Sequence, residues 1–188
     1  MTNSVKFHRL LAIDPSLTCS GWALFDLQQE VVLGVGKVKS QPPTVPLQDR
    51  LVDLQSKIEG LISSLGISPK DLVLCEAPTT MKDPRAAIKV EQVRGIFESI
   101  ARARSATVPG RLNPRSVHSE VLGLTGKQVP RKEVKEVAVQ ICGSLFSRDL
   151  KKLGFDCSLI NLKRHQDIVD ALLIGHLAVR KIKGVLNT

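Results

Sequence analysis

The chain's 188 residues, 43% of them hydrophobic and 24% charged, suffice for one sizeable core, leave no room for a second full domain and exclude global disorder. Lysine and arginine number 27 against 18 aspartates and glutamates, a formal net charge of +9 that points to a polyanionic partner, nucleic acid first among them. No apolar run approaches a membrane span, and Leu10–Ile13, closed by Asp14, is too short for a signal-peptide core, so the expectation is a cytoplasmic protein with no membrane partner.

In chain order, Lys6 to Ile13 reads as a strand, Gly21 to Leu27 as a second, and the apolar positions Val31, Val32, Leu33, Val35 and Val38 as a third. Their connections are short, which predicts three antiparallel neighbours. Pro42, Pro43 and Pro46 then break the chain. Leu47, Leu51, Leu54, Ile58, Leu61, Ile62 and Leu65 have helical spacing, and Gly66 follows where a left-handed terminator is wanted. Asp71 to Glu76 is a short apolar run of the kind buried on both faces of a sheet. Pro84 to Arg104 predicts a helix with proline in its first turn, and Ala106 to Leu112 a fifth strand. Asn113 and Pro114 have the signature of a helix start running towards Leu122, and a loop spans Gly123 to Pro130. Arg131 to Phe146 and Asp167 to Lys183 complete the helices, so the pattern is an α/β domain with a mixed sheet.

Cys19, Cys75, Cys142 and Cys157 form no C-x-x-C pair and are expected to be free thiols. With five Phe, one Trp and no Tyr, a stacking platform for single strands is poorly supported. The basic residues fall into groups: Arg102, Arg104, Arg111 and Arg115; Arg131, Lys132 and Lys135; and Arg148, Lys151, Lys152, Lys163 and Arg164. Contacts from such side chains to phosphates release counterions and make binding salt-dependent.

Four acids stand against this background. Asp14 and Glu76 each end an apolar strand, at the edge where ligands gather in open α/β sheets. Asp167 and Asp170 are three apart on a helix and share one side of it. Singly, each has an ordinary reading: a turn before Pro15, a strand exit before Ala77 and Pro78, or a favourable charge in a helix's first turn. Together they are expensive, because carboxylates beside core surface lack a compensating partner. A divalent cation supplies one, and oxygen donors suit Mg²⁺ or Mn²⁺. The constellation points to a metal-dependent enzyme acting on a polyanion, in which two ions roughly 3.5–4 Å apart serve phosphodiester cleavage. His165 reads as a capping or solvated residue, and His118 and His176 as structural or surface ones.

Ala12 to Gly21, with Asp14, Pro15 and Ser16, resembles the first strand and turn of RuvC-type Holliday junction resolvases, members of the RNase H-like superfamily. Cys75-Glu76 resembles the second acidic motif, and Gln92, Arg94 and Gly95 the Gln-x-Arg-Gly segment of the next helix. Asn113 to Val117, then Gly123 to Gly126, resembles the stretch before the basic catalytic region, and Asp167 to Leu172 the closing Asp-x-x-Asp-Ala-Leu motif. The similarity runs from about Leu10 to Val179.

The resemblance implies an RNase H-like mixed five-stranded sheet flanked by helices, as a single nuclease domain over residues 1–188 with its core at about 8–183. It implies a homodimeric endodeoxyribonuclease that resolves four-way junction DNA by paired nicks, with two Mg²⁺ per active site and Mn²⁺ as a substitute. Branch-migration proteins are implied as further partners, and a cytoplasmic, nucleoid-associated or organellar location. Asp14, Glu76, Asp167 and Asp170 become the metal ligands. Lys132, with Arg131 close behind, becomes the cation beside the scissile phosphate, and Arg115, His118, Arg131, Lys132, Lys82 and Arg85 become DNA contacts. The dimer is expected to use the helix from Pro84 to Arg104.

Two departures stand out. His118 replaces a lysine common in bacterial relatives, and the loop from Ala77 to Lys82 lacks the aromatic that relatives often place at the junction centre. Two rivals remain at this stage: an RNase H-like nuclease acting on structured RNA or DNA–RNA hybrids, and a non-catalytic junction-binding protein.

Overall fold

In the computed structural model, which describes residues 7–78, 83–124 and 129–186, β1 (Arg9–Asp14), β2 (Cys19–Asp26) and β3 (Val32–Lys39) form the expected antiparallel meander. The helix α1 (Leu47–Ser64) returns the chain so that β4 (Asp71–Glu76) pairs parallel to β1. After α2 (Pro84–Ala103) comes the short β5 (Arg111–Leu112), parallel to β4, which completes a sheet of order β3-β2-β1-β4-β5. The rest is helical: α3 (Pro114–Glu120), α4 (Arg131–Lys152), α5 (Leu159–Arg164) and α6 (Gln166–Leu186). No helix among the described residues is long and apolar enough to cross a membrane.

The two central strands are apolar on both faces because helices cover both. Leu11, Ile13, Val73 and Cys75 pack against Leu54, Ile58 and Ile62 of α1 and Val93 and Phe97 of α2. Leu10, Ala12, Leu72 and Leu74 pack against α4 and α6. Successive strand side chains alternate faces, so Asp14 continues the series Leu10, Ala12 and Glu76 the series Leu72, Leu74. Both acids therefore leave the sheet on the side that α6 covers. The register, with Ile13 opposite Cys75, sets them at the same edge.

At the far end of this strand pair Arg9 grips Asp71 with two hydrogen bonds of 2.9 and 2.7 Å, and Asp71 is buried. A bidentate pair at this rung fixes the parallel register on which the acidic edge depends.

Helix α6 lies close on β2 at two glycines. Gly21 pairs with Asp14 across β1 and β2, and an added Cβ would collide with the Asp167 carbonyl. Gly175 on α6 receives the Phe25 ring where its own side chain would be. These contacts bring the first turn of α6 down onto the rung that carries Asp14.

The structure differs from expectation at three places. The fifth strand is reduced to Arg111–Leu112 and a single bridge between Leu72 and Thr107, because Pro109 has no amide to donate and Gly110 adopts φ +133°. Helix α4 continues to Lys152, six residues past Phe146, because Leu150 is still buried on its inner face. The short α5 was not expected. Lys6, the expected start of the first strand, lies outside the described residues, as do the positions from Thr79 to Lys82 and from Thr125 to Gln128. The four cysteines are free, with Cys75 and Cys142 buried.

Gly21→Ala should cost about 1–3 kcal/mol of stability or more in urea unfolding, because strand and helix backbones must part. Gly60→Ala, in a helix interior with open space around it, should instead stabilise by about 0.5–1 kcal/mol. A neutral Gly21→Ala would contradict the close approach of α6.

Candidate active site

The end of β1, the end of β4 and the start of α6 enclose a cavity of about 280 Å³ lined by Asp14, Glu76, Asp167 and Asp170. Stretches of chain far apart in sequence thus deliver all four acids to one place. Burial, then the charges of Asp170, Glu76 and Asp167, push the Asp14 carboxyl well above the usual carboxylate range, and the Arg94 charge offsets this only in part. Glu76 is pushed up to about 7 by burial and by Asp170, again against Arg94. Asp170 rises to about 6 through burial and Asp167, with Lys135 and Arg131 pulling the other way.

Asp167 behaves differently. Burial raises it, but hydrogen bonds from Lys37 and Cys19 and the Lys37 charge outweigh burial and hold it below the ordinary value. The Lys37 ammonium, on β3, lies 2.9 Å from an Asp167 carboxylate oxygen.

The cations around the cavity come from three elements. Arg94 of α2 is 1% exposed, and its Nε donates to the Glu76 carbonyl at 2.7 Å, which holds the end of β4 in place. Arg94 also pairs with Glu91, which Arg111 reaches at 3.0 Å, and Arg111 bonds Glu98 at 2.8 Å. Arg131 and Lys135, one turn apart on α4, line the cavity on its other side. Next to it opens a larger groove of about 820 Å³ that shares Glu76, Arg131, Lys135 and Asp170 and carries Arg115 and His118 of α3.

Not every expected site residue gathers here. Lys132 is exposed on α4 and lines neither cavity, because one residue along a helix turns the side chain about 100° from Arg131. Arg85 is exposed at the start of α2 and also lines neither. Lys82 lies outside the described residues. Burial lowers the His118 pKa, and His165 stands edge-on to Phe155 without lining the cavity. Lys37, Arg94 and Lys135 were given no place in the site from the sequence. Lys135 was visible as the residue one turn after Arg131, and Arg94 as a charge at an apolar helix position.

The donor set consists of hard oxygens in mutual repulsion, and a divalent cation such as Mg²⁺ or Mn²⁺ would relieve that repulsion. The residues present therefore fit such an ion. Among the described residues, no three Asp, Glu, His or Cys side chains are drawn together tightly enough to grip an ion as they stand. The acids share a cavity rather than a finished coordination sphere.

No protein-family model matches the chain. It is similar to the crossover junction endodeoxyribonuclease RuvC of Rhodopseudomonas palustris (strain BisA53), 29% identical over 116 residues, 61% of this chain and 64% of that protein. The protein of the same name from Sphingopyxis alaskensis is 27% identical over 119 residues, 62% of this chain and 73% of that protein. The match thus spans less than two thirds of the Rhodopseudomonas relative. Among solved structures, Thermus thermophilus RuvC in complex with Holliday junction substrate matches at TM-score 0.65 and 18% identity, covering 94% of this chain and 96% of that one. The yeast mitochondrial Holliday junction resolvase Ydc2 matches at TM-score 0.53 and 12% identity, covering 95% and 82%. The fold is RNase H-like, and the resemblance to RuvC-type resolvases read from the motifs is borne out.

The raised acids make a signed prediction for stability. Where a folded-state carboxyl pKa is raised, stability falls as pH climbs from the unfolded value, near 4, to the raised folded value, because only the unfolded chain gives up its proton freely. Asp14→Asn removes this penalty at one position. In cation-free buffer its thermal midpoint should match wild type near pH 4, then exceed it by a margin that grows with pH and levels off. Each kcal/mol of relief corresponds to about 2–4 °C for a chain of this size. A margin that ignores pH, or a loss of stability, would contradict the raised Asp14 carboxyl.

Proposed function

From the borne-out resemblance and the acidic cavity together, we propose that this chain is a metal-dependent endodeoxyribonuclease that nicks four-way DNA junctions in pairs. The observation that carries the reading is the meeting of Asp14, Glu76, Asp167 and Asp170 in one cavity with cations at its rim.

In this reading the four acids hold two divalent ions, Mg²⁺ or Mn²⁺. When bound, such ions supply an acidified water for attack on phosphorus and charge stabilisation for the leaving 3′ oxygen. The chain's own groups do the rest. Arg131 and Lys135 face the cavity from α4 and offset charge that develops on the phosphate oxygens. In this reading they take the part that the resemblance implied for Lys132, with Arg131 close behind it. Arg94 stays behind the site and fixes Glu76 through its backbone carbonyl. Arg115 and His118 border the adjoining groove, where they hold a DNA strand through its phosphates, so affinity falls with salt. Two equivalent cuts call for two equivalent sites, which a two-fold homodimer provides.

A synthetic four-way junction and a linear duplex of the same sequence, incubated with and without Mg²⁺ or Mn²⁺, test the proposal. The junction should be nicked on opposed strands only with the ion present. Asp170→Asn should slow nicking by roughly a hundredfold or more, while junction affinity in EDTA stays within about threefold, because the basic surface remains. Lys135→Ala should slow nicking more than Lys132→Ala does. Tight binding without cutting at any ion concentration would assign the chain to non-catalytic junction binders. Preferential cutting of structured RNA would assign it to the RNA nucleases.

A further inference from the structure

Asp14, Gly21 and Lys37 occupy one rung of the sheet, with Gly21 paired to Asp14 on one side and to Lys37 on the other. Partners on a rung share a face, so Lys37 lies on the side that α6 covers. Gly21, without a side chain, lets the first turn of α6 settle between the two charged residues. Asp167 sits in that turn. Its backbone is pressed on Gly21, while its side chain lines the acidic cavity and accepts from the Lys37 ammonium at 2.9 Å. Lys37 is 14% exposed and Asp167 34%, so the pair is partly shielded from water.

We propose that Lys37 is a built-in counter-ion for Asp167 that a divalent cation displaces as the site is completed. The inference rests on the metal-dependent reading above and adds to it a positioning residue that governs loading. Three observations support it. Among the described residues, Asp167 is the one acid of the cavity with a lysine ammonium in hydrogen-bond contact. The described acids share a cavity without converging on a common point, and Asp167 is directed at Lys37. The Asp167 backbone is pressed against Gly21, so in the proposed exchange only its side chain needs to turn.

The arrangement has a physical purpose. Four acids in one cavity repel one another, and an ammonium at its edge neutralises one of them before any ion arrives. The protein then folds around the site without the metal, and loading exchanges one cation for another. Lys37 and the incoming ion compete for the same oxygens, so the lysine weakens ion binding in proportion to the strength of its pair.

Mn²⁺ binding, followed by the loss of the free-ion electron paramagnetic resonance signal and by the rise in thermal midpoint on adding Mn²⁺, separates the possibilities. Lys37→Met should bind Mn²⁺ roughly fivefold tighter than wild type. It should melt lower without the ion and show the larger Mn²⁺-induced rise. Lys39→Met removes an equal charge from the same strand without breaking the pair, and should stay within about twofold of wild type. Lys37→Gln, which keeps a donor but no charge, should shift in the same direction as Lys37→Met and serves if the methionine variant folds poorly. Unchanged or weaker Mn²⁺ binding in both Lys37 variants overturns the proposal. Equal tightening by Lys39→Met also overturns it, since the effect would then be the general field of the strand. A wild-type protein that binds no Mn²⁺ at all would remove the metal-dependent reading itself.

Discussion

Asp14, Glu76 and Asp170 are buried around one cavity, and sheet and helix hold them there against the cost of burying their charges and against their mutual repulsion. Burial first, and a neighbouring carboxylate second, push Glu76 up to about 7 and Asp170 to about 6, each equivalent to about 3 kcal/mol of opposition to ionisation. Full burial of a leucine or isoleucine contributes about 1.5–3 kcal/mol. Leu10, Leu11, Ile13, Leu172 and Leu173, all within or beside the elements that carry the acids, are fully buried. The core is therefore strong enough to hold unfavourable charges together. Arg94 from behind, Lys37 from the edge strand, and Arg131 and Lys135 from α4 reduce the repulsion without removing it.

Strand parity and glycine placement turn this core into a site. Alternation along β1 and β4 puts Asp14 and Glu76 on one face, and parallel pairing puts them at one edge. The absent side chain at Gly21 then allows α6 to bring Asp167 and Asp170 down onto that edge. A shift of one residue in the pairing of β1 with β4 would turn one acid to the opposite layer. The Arg9–Asp71 pair at the other end of the strands resists that shift. A fold feature far from the acids thus controls how closely they meet.

Much of this was legible in the sequence. The strand Asp71–Glu76 coincides with its expected bounds because a continuous apolar run ended by a charge admits few alternatives. The helices with proline at their first turn, α2 and α3, start where Pro84 and Pro114 predicted. Asp14 and Glu76 were visible because each ends an apolar strand, and Asp167 and Asp170 because they open an apolar helix. Their meeting was not, since it depends on sheet order and on how deep α6 sits. Helix α5 was missed because it has a single turn or so, with Leu159 and Ile160 exposed and only Leu162 buried, and so shows no periodic face. That Arg131 and Lys135 line the cavity and Lys132 does not follows from the rotation of α4 about its axis, which the sequence does not show. Lys37 was hidden because a lysine on an edge strand ordinarily faces water, and here α6 covers that face.

The most direct test is crystallographic: a crystal grown with Mn²⁺, with diffraction recorded at a wavelength where manganese scatters anomalously. The account predicts anomalous density inside the acidic cavity, with oxygens of Asp14, Glu76 and Asp170 about 2.1 Å from the ion and Asp167 turned from Lys37 towards it. Density only on the outer surface, or a cavity without any at saturating Mn²⁺, would contradict it.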